Sequence, residues 1–213
     1  ATLRSLRLRF SEPVASQVVG EIYPFQVDSL GVERTFSFFL NPSFRSADVG
    51  FDEILIVSPA DMALTFESLV AGSKEDFRAE TGTPTTIAAT VIAEGRDSLR
   101  ISFPTVNSRS GIEVLRLDFR TALFGTGAPL RAAVQRGDRE DAWQRVDAGD
   151  AVKEVTGNTT TLVGTAGGSR LITNTSISAA LTPNGDGIND EAVVSFDVVR
   201  VGDDSPIEVA IFD

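Results

Sequence analysis

The chain has 213 residues, 42% of them hydrophobic, which is core material for one large β-domain or for one domain and a fraction of another. Its 30 acidic residues outnumber 19 basic ones for a formal charge of -11, and with Lys74 and Lys153 as the only lysines, nucleic acid and a polybasic membrane contact are both excluded as partners. Cysteine and histidine are absent, so thiol nucleophiles, disulfides, structural zinc and histidine-based triads cannot be built.

From the start, ATLRSLRLRF alternates instead of forming a signal-peptide core, with Leu6, Leu8 and Phe10 on one face and Arg7 and Arg9 on the other. This predicts a strand that ends at Ser11-Glu12-Pro13. Val32 to Leu40 predicts another, with Phe36, Phe38 and Leu40 inward, Thr35 and Ser37 outward, and Phe39 requiring cover from a further element. In Phe51 to Val57 apolar residues fall on both parities, so both faces of that strand are expected to be covered, and Pro59 closes it. Alternation returns at Met62, Leu64 and Phe66, at Ile87, Ala89 and Val91, and at Leu99, Ile101 and Phe103 before Pro104.

Gly111 to Arg120 places Ile112 and Val114 on one parity and Leu115, Leu117 and Phe119 on the other. Either a bulge near Val114 switches the register, or the strand is central and covered on both sides. Leu130 to Gln135 reads as a further short strand. Trp143 reads as a core or sheet-edge anchor in preference to a sugar-stacking platform. Helix candidates are short, at Arg139 to Val146 and Ser73 to Arg78. No apolar run approaches the roughly 18 residues of a membrane helix, so direct membrane insertion is not expected.

The regular spacing of short strands predicts an all-β fold, an antiparallel immunoglobulin-like β-sandwich over residues 1–155. Residues 156–180 are dominated by Thr, Ser, Gly and Asn with Arg170 as the only charge, a linker composition, although Leu162-Val163 and Leu171-Ile172 would let some of it pair along a sheet edge.

The densest local signal is Thr182-Pro-Asn-Gly-Asp-Gly-Ile-Asn-Asp190. Pro183 pushes Thr182 toward extended backbone, and Asn184-Gly185 and Asp186-Gly187 tolerate positive φ, so the chain must turn sharply. With Gly187 at the sixth place of a calcium loop, Asn184, Asp186 and Asp190 fall at the third, fifth and ninth places and the Ile188 carbonyl at the seventh. Thr182 and Val193 stand where the first and twelfth ligands belong. The motif is therefore either a partial Ca2+ site or a rigid turn whose side chains cap local amides.

TPNGDGIND and the following EAVVSFDVVRVGDDSPIEVAIFD resemble the opening of the FlgD-like immunoglobulin domain and are similar to the C-terminal modules of bacterial gliding-motility and type IX-secreted surface proteins. The resemblance covers about the last 33 residues, and implies that residues 181–213 begin a second, incomplete immunoglobulin-like module on an extracellular or cell-surface protein. Glu191 to Val201 and Pro206 to Asp213 read as two strands joined by Gly202 to Ser205. Two strands cannot bury their own apolar faces. Further residues, the first domain or a neighbouring chain could each supply the cover; the expectation is that it comes from outside this chain, from other protein chains including further copies of this one.

Two functional classes follow. One is a noncatalytic extracellular structural or adhesive module, with a hook-assembly scaffold implied only by the family resemblance. The other is a secreted carbohydrate-active or carbohydrate-binding domain with a C-terminal sorting module, for which Asp48, Asp52 and Glu53 are the acids to consider.

Overall fold

The computed structural model describes residues 12–58, 62–78, 82–139, 143–165, 172–178, 182 and 190–198. The first strands are β1 (Gln17–Tyr23), β2 (Gln26–Val27), β3 (Glu33–Ser43), β4 (Phe51–Val57) and β5 (Thr65–Gly72). They are followed by β6 (Thr85–Thr86), β7 (Thr90–Glu94), β8 (Ser98–Val106), β9 (Val114–Ala122) and β10 (Gly127–Pro129). Last come β11 (Arg131–Gln135), β12 (Gln144–Arg145), β13 (Asp147–Ala148), β14 (Thr161–Gly164), β15 (Ile172–Ile177) and β16 (Val194–Val198).

Two mainly antiparallel sheets face one another, one ordered β13-β1-β3-β9-β5-β6 and the other β12-β11-β4-β8-β7. Phe36, Phe38, Leu40, Leu117 and Phe119 from the first meet Ile54, Ile56, Leu99, Ile101 and Val134 from the second in one core, all fully buried. This is the layered solution expected of short strands that each carry one apolar face. A small sheet, β10-β14-β2, caps one end, and β15 pairs with β16 as a separate two-stranded ribbon.

The doubly apolar strands resolve in different ways. Phe39 points away from the main core and is covered by Val114, Ala151 and Val152, with Phe77 and Val155 packed at the margin. The β9 pairing with β3 runs without a register shift, so Val114–Ala122 is a central strand whose outer face is buried at Val114 and Asp118 but exposed at Arg120; the bulge lies in β5, between Phe66 and Ser68. Ile112 precedes the strand and packs on the main core. In β4, Ile54 and Ile56 are buried but Leu55 and Val57 are only half covered, so the expectation of two covered faces holds for one face and is only partly met on the other.

Four expectations need correction. Ile87 and Ala89 lie between β6 and β7, where the chain crosses from one sheet to the other, and β7 itself is exposed along its length. Their alternation marks a crossing, with both side chains packed partly on the core, and not one continuous strand. β8 does not end before Pro104; the β4–β8 register shifts between Glu53 and Phe51, and the proline, which has no N–H to give, sits in that irregularity. Of Arg139 to Val146, residues 143–146 are not helical, because Gln144 and Arg145 pair with Val134 and Ala133 at the sheet edge, and 140–142 lie outside the described residues. Ser73 to Arg78 holds only a single 3-10 turn, Glu75–Phe77. Leu6, Leu8 and Phe10 lie outside the described residues.

β1 does not stand out in the sequence. Its inward residues are Val18, Gly20 and Ile22, and the glycine is required by packing: a Cβ there would stand 2.6 Å from a methyl of Val146 and 2.9 Å from the Phe38 ring. Late segments run parallel to this early strand. Asp147 and Ala148 align with Val19 and Gly20, Ile22 N–H donates to the Thr159 carbonyl at 2.9 Å, and Val163 and Gly164 align with Gln26 and Val27. Leu162 of β14 is fully buried in the main core, so the Leu162-Val163 pair does enter a sheet.

Candidate functional site

Three surfaces carry the chemistry of the chain. The first is the outer face of the six-stranded sheet, over which residues 149–157 pass as a strap. Glu21 projects from β1 beneath it and is fully buried. Its Oε1 accepts the amide N–H groups of Ala151 (2.9 Å) and Val152 (2.7 Å), and its Oε2 has no partner among the described residues. Burial pushes the Glu21 carboxyl above the ordinary range, the two amides pull it down by less, and nearby Asp150 adds to the rise. Above the strap lies a pocket of about 220 Å³ whose rim carries both lysines, Lys74 and Lys153, together with Arg78, Glu75 and Asp150. Further along the same face Asp118 accepts Ser37 (2.6 Å) and Ser68 (2.8 Å) hydroxyls and pairs with Arg116 at 3.1 Å.

The second surface is the outer face of the five-stranded sheet. Glu53 is buried and its Oε2 accepts from Arg100 Nη2 at 2.7 Å and from the Gln135 amide. The Arg100 guanidinium lies 5.3 Å from the centre of the Trp143 ring, a cation–π contact that anchors the edge beside β12. Asp52 accepts the Gly137 N–H at 2.7 Å, and Asp48 accepts the Arg45 N–H at 2.6 Å in a turn. All three acids weighed for glycoside chemistry therefore hold structural partners. Beside them Leu55, Val57 and Ala133 form the floor of a trough of about 410 Å³ framed by Arg131 and Arg145.

The third surface is the ribbon. β15 and β16 pair antiparallel with a register shift between Thr173 and Ser176, where Asn174 takes a positive φ of 50°. The Asn174 amide donates to Asp197 at 2.7 Å and to the Gly31 carbonyl at 3.3 Å, which ties the ribbon to the sandwich. Ile177 is 67% exposed and Val193 60%, and Ile172, Val194 and Val198 are exposed as well. The first strand expected of the C-terminal module thus pairs with residues 172–177, while 206–213 lie outside the described residues.

Of the calcium-loop residues, Asn184, Asp186 and Ile188 lie outside the described residues and Asp190 is half-buried before β16. Among the described residues no group of three or more acidic side chains is gathered in a metal-binding arrangement. The arginine-framed trough is not apparent from sequence. Arg131 and Arg145 become neighbours only through the pairing of β11 with β12, and the alternation of Arg131, Ala133 and Gln135 is the one signal that points to it.

No family model and no curated protein matches the chain. Among solved structures it is similar to the crystal structure of a DUF4466 family protein from Parabacteroides merdae, at 12% identity and a TM-score of 0.40, over 62% of this chain. The match takes in 44% of that protein, so the chain spans less than half of its length.

Proposed function

We propose that the chain is a noncatalytic structural or adhesive module of an extracellular or cell-surface bacterial protein, and that its C-terminal end joins it to other protein chains. The observation that carries this reading is the ribbon: five large aliphatic side chains stand exposed on and beside two short strands, a quantity of apolar surface that an isolated ribbon cannot bury by itself. The structural engagement of Glu53, Asp52, Asp48 and Asp118 agrees with it, since these carboxylates serve the sheets. Location at the cell surface is supported by the resemblance of TPNGDGIND to surface and secretion-associated modules.

Within this reading residues 1–155 form the sandwich, 156–180 the connection and 181–213 the start of an immunoglobulin-like module; the burial of Leu162 favours counting β14 with the sandwich. The immunoglobulin likeness of the sandwich is one of layers more than of order. Its closing strand β11 lies beside β4, a nesting closer to a jelly roll than to an immunoglobulin sheet, in which the last strand lies beside the next to last.

The test compares the full chain with Ile177→Asp/Val194→Asp by light scattering and by binding of an apolar dye. The unmodified chain is expected to exceed its 22.7 kDa monomer mass as concentration rises and to bind dye, with both signals lost in the variant. A monomeric, dye-silent parent chain would refute the proposal.

A further inference from the structure

We infer that the β15–β16 ribbon of one copy docks in the arginine-framed trough of a second copy, so that the chain associates head to tail. This rests on the assembly role proposed above and names the partner. Register places Arg145, Ala133, Leu55 and Arg100 in one row across β12, β11, β4 and β8, with Arg131 and Val57 in the next. Arg100 is neutralised by Glu53. Arg131 and Arg145 have no acidic partner among the described residues, although the chain carries a net charge of -11. The trough is therefore an apolar floor with two positive charges that no acid among the described residues neutralises.

The ribbon has the opposite character. Residues 172–178 and 190–198 contain Asp190, Glu191 and Asp197 and no lysine or arginine. Among their exposed side chains are five large aliphatic ones, Ile172, Ile177, Val193, Val194 and Val198. Each surface alone leaves apolar area in water; together they would bury it and set unlike charges side by side.

The dimensions agree. Five to six residues per strand make the ribbon roughly 17–20 Å long, and two strands at about 4.8 Å spacing fit along the floor made by β11 and β4. So small a contact falls at the low end of protein interfaces, below about 1,200 Å² in total, which implies weak, rapidly exchanging and salt-sensitive association. The two surfaces differ, so the contact is heterologous and its repetition builds an open chain unless the rotation closes a ring.

Sedimentation velocity on the full chain, up to roughly millimolar concentration and at low and high salt, reads the outcome. Arg131→Glu/Arg145→Glu, with folding checked by circular dichroism, is expected to weaken association about tenfold or more. Glu191→Arg/Asp197→Arg is expected to do the same. Mixed together, these two variants offer both cross-contacts with unlike charges, acidic ribbon on arginine trough and arginine ribbon on glutamate trough, and should regain association in alternating order. If Ile177→Asp/Val194→Asp abolishes association while Arg131→Glu/Arg145→Glu leaves it intact, the ribbon binds elsewhere and the trough assignment falls, with the assembly role standing. A parent chain that stays monomeric throughout overturns both. A monomer whose melting temperature drops on Arg131→Glu/Arg145→Glu shows the trough to be occupied within one chain and also overturns the inference.

Discussion

Leu162→Ala is expected to lower the unfolding free energy by about 2–5 kcal/mol. Leu162 is fully buried, and its strand lies between β10, where it faces the buried Ala128, and β2. Truncation removes the equivalent of about three methylenes at roughly 0.8 kcal/mol each, and the cavity left between two fixed strands adds to that loss. Val163→Ala is the internal control. Its side chain is 37% exposed on the opposite face, so the cost should stay below about 1 kcal/mol. Urea unfolding followed by the fluorescence of Trp143 reports both; with a slope of about 2 kcal/mol/M, the Leu162 variant should shift the midpoint down by about 1–2.5 M. Equal small shifts for the two variants would show that residues 161–164 tether and do not pack, and would refute the reasoning.

Two further outcomes follow from the structure. Because burial raises the Glu21 carboxyl above its ordinary value of 4.5, the folded chain retains this proton where the unfolded chain has lost it. Stability is then full below the ordinary carboxylate range and falls as pH rises through the raised value, where a buried charge must form beneath the strap. Glu21→Gln keeps the acceptor for Ala151 and Val152 and has no proton to lose, so its melting temperature should lack that fall as pH rises above the ordinary carboxylate range; identical pH profiles would count against it. The groups around Glu21 that must be held constant are Asp150, Lys153 and Glu154 on the strap, and Lys74, Glu75 and Arg78 above it. For the turn before β16, calorimetric titration with millimolar calcium should give heat for the parent chain and lose it in Asp186→Ala; no heat in either, or unchanged heat, speaks for a capped turn.

Sequence makes the demand for cover legible and leaves its source hidden. Phe39 and Val114 violate alternation, which requires a second layer, but the layer comes from Ala151 and Val152, more than 30 residues beyond either. β1 is obscured because Gly20 and Glu21 interrupt its apolar run, one admitting Phe38 and Val146 and the other gripping the strap. Ile87 to Val91 misleads because side chains leaning on the core from a crossover alternate like a strand. The trough is invisible for a related reason: Leu55, Val57, Arg131 and Arg145 lie on three strands that sequence does not order.

The parallel seam between residues 19–27 and 147–165 has a mechanical consequence. Its bonds, from Val19 beside Asp147 through Glu21 and Ile22 to Val27 beside Gly164, connect the segment that enters the sandwich with the segment that leaves it. Tension applied through the two ends pulls parallel neighbours in opposite directions along their common axis. The backbone bonds of the seam are then loaded together in shear, whereas those of a peeled hairpin break in succession. When the module is drawn out by attachments at its two ends, its resistance to extension would be set by these few residues, and by the closing contacts of Leu162 and Val152, ahead of the larger core behind them.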